Sequence, residues 1–143
     1  MITGRVNADF EPIIPLSIYD VNGKIYTQEA IIDTGFNGWL SLSPDLINQL
    51  NLIWKRRGRA LLGDGSECIF NVYEAVILWD GSPLRIPIDE ADSEPLVGMS
   101  LMEGYQLIFH LIANSHIARE KGVIIIGSVF EKQRQRVTIR TPN

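Results

Sequence analysis

The chain has 143 residues and a formal net charge of −4, with 45% hydrophobic and 21% charged residues, the balance of an ordinary globular protein long enough to bury a core. Its longest apolar runs, near 107–113 and 123–130, fall far short of a bilayer span, and a single cysteine, Cys68, excludes an internal disulfide. Residues 1–115 hold 7 Lys and Arg against 15 Asp and Glu, whereas residues 116–143 hold 6 against 2, so the acidic body argues against general nucleic-acid binding and only the tail is basic.

That length predicts one domain over residues 1–143. Met1-Ile2-Thr3-Gly4-Arg5 lacks the basic, then apolar, then small-residue order of a signal peptide, and the cytoplasm is the expected location. Ile13 to Tyr19 predicts a strand with Ile14, Leu16 and Ile18 on one face. Asn22-Gly23, both tolerant of positive φ, predicts a two-residue hairpin turn, and the returning strand Lys24–Ile32 ends at Asp33. Ser43-Pro44-Asp45 opens a short helix, since Ser caps orphan N–H groups and Pro suits the first turn; Leu46, Ile47 and Leu50 share its apolar face and Asn51 stops it.

A hairpin with its tip at Gly63-Asp64-Gly65-Ser66 follows, returning through Glu67 to Val76. A second turns at Asp80-Gly81-Ser82 and returns over Leu84–Ile88, and residues 89–94 read as a polar loop closed by Pro95. Leu96-Val97-Gly98 leads into Ser100-Leu101-Met102-Glu103, a capping box for a short helix that Gly104 ends. Tyr105–Phe109, Val123–Ile126 and Val137–Arg140 are strand-like. Many short strands, tight hairpins and two short helices predict an all-β, closed or nearly closed barrel.

The chemistry centres on Ile31-Ile32-Asp33-Thr34-Gly35, continuing Phe36-Asn37-Gly38-Trp39-Leu40. A carboxylate at the end of a buried strand, inside a turn, is costly unless it is hydrogen-bonded or functional. The apolar-apolar-Asp-Thr-Gly signature resembles the catalytic motif of the aspartic proteases, and the run through Leu50 looks like their small bacterial retropepsin-like branch. Peptide hydrolysis without a metal needs a base to activate water and an acid to polarise the carbonyl, and two carboxyl groups sharing one proton do both. One Asp-Thr-Gly is half of such a dyad; Asp64-Gly65 and Asp80-Gly81 lack the intervening Thr or Ser and read as hairpin tips. The resemblance therefore implies an aspartic endopeptidase that is a homodimer, with Asp33 of each subunit meeting at a two-fold axis and no cofactor.

The same resemblance implies that the Thr34 hydroxyl bonds across the axis and that Gly35 offers its carbonyl to a peptide substrate. Asn37 stands where the family pattern has a substrate-binding Asp, so hydrogen-bonding capacity is kept and charge is lost. Gly63, Asp64 and Gly65 match the substrate-covering flap, and Leu96-Val97-Gly98 the strand that crosses beneath the catalytic loop. The match covers residues 13–109, placing the core at about 10–110, with 111–143 as a C-terminal extension that departs from the family. The alternative from another class is a catalytically inactive dimerisation or peptide-binding module on the same barrel.

The remaining residues carry blander expectations. Asp33 is alternatively a turn-capping carboxylate. His110 and His116 lack partners at metal-ligand spacing. Cys68, beside Ile69 and Phe70, reads as a buried small hydrophobe, Lys55–Arg59 as a solvated loop or a steering patch for acidic substrates, and Trp39, Trp54 and Trp79 as core or interface anchors.

Overall fold

The structure, a computed structural model, describes residues 1–113 and 120–129. In chain order these form β1 (Ile2–Asn7), β2 (Pro12–Tyr19), β3 (Ile25–Ile32), β4 (Leu40–Leu42), α1 (Pro44–Leu50), β5 (Ile53–Leu61), β6 (Glu67–Trp79), β7 (Ser82–Glu90), β8 (Leu96–Val97), α2 (Met99–Met102), β9 (Tyr105–Leu111) and β10 (Glu120–Ser128). No helix among the described residues is long and apolar enough to cross a membrane. The chain divides into two compact units, one of Pro15–Leu101 and one of Met1–Ile14 with the described part of Met102–Asn143.

Within Pro15–Leu101 the strands run in the order β5-β6-β7-β4-β8-β3-β2, and β6 pairs with β2 as well. Closure comes from the length of β6: its first half pairs β5, and Val76–Leu78 pair Ser17–Tyr19 of β2. Leu40, Leu42, Ile47, Leu50, Ile77, Ile86 and Ile88 are fully buried here, each stabilising the fold by about 1.5–3 kcal/mol relative to exposure. The start of α1 is as predicted: Ser43 Oγ accepts the Leu46 N–H at 3.3 Å, Pro44 occupies the first turn, and Asn51 ends the helix in the left-handed region.

Three turns depend on positive φ. Asp80 and Gly81, both at positive φ, form a two-residue link, because Ser82 already pairs with Trp79. The β2–β3 turn is one residue longer than predicted: Asp20 N–H donates to the Lys24 carbonyl, and the loop is Val21-Asn22-Gly23. Asp20 Oδ1 favours the longer form by accepting the Asn22 and Lys24 N–H groups at 2.9 and 2.8 Å. The β5–β6 tip has the same backbone pattern, Leu62 N–H to the Ser66 carbonyl with Gly65 at φ +86°, a three-residue loop whose last residue needs a left-handed conformation.

In the other unit β10 lies between β1 and β9, antiparallel to both. Residues 120–128 of the expected C-terminal extension are thus sheet, and so is the N-terminal segment Ile2–Asn7, which had no predicted element. Ile124 and Ile126 alternate inward on β10 with Val6 buried on β1, whereas Ile108, Phe109 and Leu111 of β9 are exposed. Val137–Arg140 and His116 lie outside the described residues.

Two local expectations are corrected. Residues 89–90 belong to β7 and not to a loop, because Asp89 and Glu90 pair in parallel with Ser41 and Leu42 of β4. The helix α2 begins at Met99, so Ser100 sits inside it and is not its cap.

Candidate active site

Asp33 leaves the end of β3 with its N–H on the Val97 carbonyl at 2.9 Å. Asp33 is partly buried as a residue, and its Oδ1 accepts the Gly35 N–H at 2.9 Å, which turns the backbone and fixes the acid's orientation. The loop from Asp33 to Trp39 is then bound to the β8–α2 segment. Gly98 N–H donates to the Trp39 carbonyl at 2.9 Å, Met99 N–H to Phe36 at 2.8 Å and Ser100 N–H to Gly38 at 3.1 Å. The first N–H groups of a helix have no partner within it, and here the loop carbonyls supply them. Ser100 Oγ adds a bond to the Asn37 carbonyl at 2.6 Å.

Gly98 makes this contact possible. A Cβ there would stand 2.1 Å from the Gly38 carbonyl oxygen and 2.8 Å from Phe36 Cδ2, closer than any real contact, so only glycine lets β8 pass beneath the loop.

Beside the loop lies a groove of about 860 Å³, within the range of small-molecule and peptide sites. Asp33, Gly35 and Phe36 line one side; Ala60, Cys68, Ile69 and Phe70 of the β5–β6 hairpin line another; Ser41, Asp89 and Leu96 contribute from β4, β7 and β8. Of the residues singled out by sequence, Asp33 and Gly35 meet in the groove. Thr34 and Asn37 are exposed on the loop, and Asn37 meets Ser100 through its backbone carbonyl. Gly63, Asp64 and Gly65 form the exposed hairpin tip and are not among the groove-lining residues; the hairpin's walls line it instead. Asp64 is occupied in shaping that tip: it accepts the Ser66 N–H at 2.9 Å and hydroxyl at 2.5 Å, and these bonds hold its carboxyl below the usual range.

Cys68 is exposed on β6, contrary to the buried hydrophobe expected. Residues Lys55–Arg59 are strand β5, not loop; Lys55 and Arg59 face Glu74 and Glu67 at 3.9 and 4.0 Å, and Arg57 lines the groove. Trp79 is core, whereas Trp54 is 52% exposed and donates Nε1–H to Asn71 at 3.1 Å. Among the described residues no three His, Cys, Asp or Glu side chains gather as a metal site.

Sequence reading missed Ser41 and Asp89. Asp89 follows Ile86-Pro87-Ile88, the same apolar lead into a carboxylate that marks Asp33. Burial pushes the Asp89 carboxyl up from the usual range, opposed by the Arg56 guanidinium. Asp33 and Asp89 both line the groove.

The fold has counterparts among solved structures. A retropepsin-like aspartic protease from Rickettsia conorii matches over 89% of this chain and 91% of its own, at 16% identity and a TM-score of 0.50. The EIAV protease complexed with the inhibitor HBY-793 matches over 65% of this chain and 86% of its own, at 18% identity and a TM-score of 0.48. No family model and no curated protein sequence matches the chain. The fold is all-β and retropepsin-like; at such identities the likeness speaks for architecture, and the chemistry must be argued from the residues.

Proposed function

We propose that the protein is an aspartic endopeptidase that works as a homodimer, each subunit contributing Asp33 to a shared dyad. The carrying observation is Asp33 itself: a carboxylate held in a braced turn, on a partly buried residue that lines a groove walled by a hairpin. The dimer reading rests on the sequence, since one chain carries a single Asp-Thr-Gly and so half of a dyad.

In the proposed reaction a water molecule lies between Asp33 and the partner subunit's Asp33, which together hold one proton because two carboxylates so close cannot both ionise. The ionised carboxylate takes a proton from the water as its oxygen attacks the peptide carbonyl carbon. The protonated carboxyl gives its proton to the carbonyl oxygen, forming a gem-diol. Breakage of the C–N bond then returns one diol proton to a carboxylate, the nitrogen takes the other dyad proton, and the dyad again shares one. Thr34 braces the paired turns, the Gly35 carbonyl and Asn37 hold the substrate main chain, and the Gly63–Gly65 tip closes over it and excludes water. An extended peptide with apolar side chains suits the walls formed by Phe36, Ile69, Phe70 and Leu96.

The test is cleavage of a mixed peptide library by the purified chain and by Asp33→Asn. Products from the wild type alone support hydrolysis. A folded wild type that cleaves nothing between about pH 3 and 8 overturns it, because that span brackets the carboxylate pKa range in which a dyad works, and leaves a non-catalytic module.

A further inference from the structure

The pairing of β4 with β7 places Ser41 directly opposite Asp89, and directly opposed residues present their side chains on the same face of a sheet. Both line the groove. Ser41 is 3% exposed, yet its hydroxyl has no hydrogen-bond partner among the described residues. A buried hydroxyl left unbonded costs about 1–3 kcal/mol, a penalty that an occupant of the groove can relieve. Asp89 is half-buried and makes no side-chain hydrogen bond in the described structure, though Arg56 acts on it from β5. Its Oδ2 lies 3.1 Å from where a Cβ on Gly38 would stand, so the carboxylate abuts the loop that carries Asp33.

Building on the protease reading, we propose that Ser41 and Asp89 form a specificity subsite for a basic substrate side chain, lysine or arginine. The chemistry favours a cation over an anion or an apolar group. Asp33, Asp89, Glu90 and Asp92 line the groove against one lining cation, Arg57, giving the space a negative potential. The apolar rings of Phe36 and Phe70 suit the methylene stem of a long basic side chain whose charged head reaches the polar end. A carboxylate and an unbonded hydroxyl accept two of the donors such a head carries.

The experiment uses apolar decapeptides carrying lysine, arginine, norleucine or glutamate at each position in turn. It reads kcat/KM on the wild type and binding to the cleavage-deficient Asp33→Asn. The expected result is a lysine-to-norleucine preference of about tenfold or more at one position, the size of one charge-assisted hydrogen bond. That preference collapses toward one when Asp89→Asn is introduced and falls several-fold with Ser41→Ala, which serves as the second variant should Asp89→Asn not fold. Equal handling of lysine and norleucine, or a preference indifferent to both substitutions, overturns the subsite. Cleavage without the preference leaves hydrolysis standing and removes the subsite. Selective, Asp89-dependent binding with no cleavage does the reverse, and absence of both binding and cleavage removes both.

Discussion

Replacing Gly98 by alanine tests whether the passage of β8 beneath the Asp33 loop holds the site. The new Cβ would meet the Gly38 carbonyl oxygen at 2.1 Å, the Gly38 carbonyl carbon at 2.7 Å and Phe36 Cδ2 at 2.8 Å. The ring can swing away but the backbone oxygen cannot, and reaching a normal carbon–oxygen separation requires the loop to move by about 1 Å. Overpacking of this kind costs about 1–3 kcal/mol. The shift also strains four bonds, from Gly98 N–H, Met99 N–H, Ser100 N–H and Ser100 Oγ to the loop, each worth about 0.5–1.5 kcal/mol. The expected sum is a destabilisation of about 2–4 kcal/mol in urea unfolding, and a loss of roughly a hundredfold in peptide cleavage, the cost of an ångström's misplacement at a reacting centre. Gly63→Ala is the control, because nothing lies within 4 Å of its Cβ; it should stay within about 0.5 kcal/mol of wild type. A Gly98→Ala protein as stable as Gly63→Ala and as active as wild type would refute the reasoning.

Ser100→Ala removes the bond to the Asn37 carbonyl and should cost about 0.5–1.5 kcal/mol in urea unfolding; no change would mean the hydroxyl does not brace the loop. Leu42→Ala, at a fully buried position of β4, should lose about 2–5 kcal/mol by the same assay, and a loss below 1 kcal/mol would show that the strand is not core. Asp89 has a raised carboxyl pKa in the folded state, so the native state holds that proton more tightly than the unfolded chain. Its charged form is therefore penalised as pH rises through and above the ordinary carboxylate range, and Asp89→Asn should gain stability relative to wild type between about pH 3 and pH 7. A gap between the two proteins that stays constant with pH would contradict that origin of the shift.

What could be read in advance was local. Ser43-Pro44 and Asn51 bound a helix by their own capping chemistry, Asp80-Gly81 makes a turn whose two φ angles its residues tolerate, and Gly98 signals a close crossing. What escaped was set by pairing across the chain. Asp89 lies in a strand because β4, nearly fifty residues earlier, runs parallel to it, and the mostly polar run that follows it hides the apolar lead Ile86-Pro87-Ile88. Ser100 resembles a cap in sequence, but the loop carbonyls of Phe36 and Gly38 satisfy the helix N–H groups first. The first strand, Ile2–Asn7, carries a glycine at Gly4 in place of a clean alternation, because β2 approaches it too closely for a side chain. The turn at Asp33 was legible because Asp33-Thr34-Gly35 writes it in consecutive residues, the carboxylate accepting the Gly35 N–H.

The most direct test of the shared dyad mixes wild-type and Asp33→Asn subunits at fixed total concentration, lets them exchange, and follows peptide cleavage. If two chains must each supply an Asp33, activity follows the square of the wild-type fraction, and an equal mixture retains about one quarter of it, since only one pairing in four is intact. A linear decline, with about half the activity left in that mixture, would mean that each chain cleaves alone and would contradict the dyad.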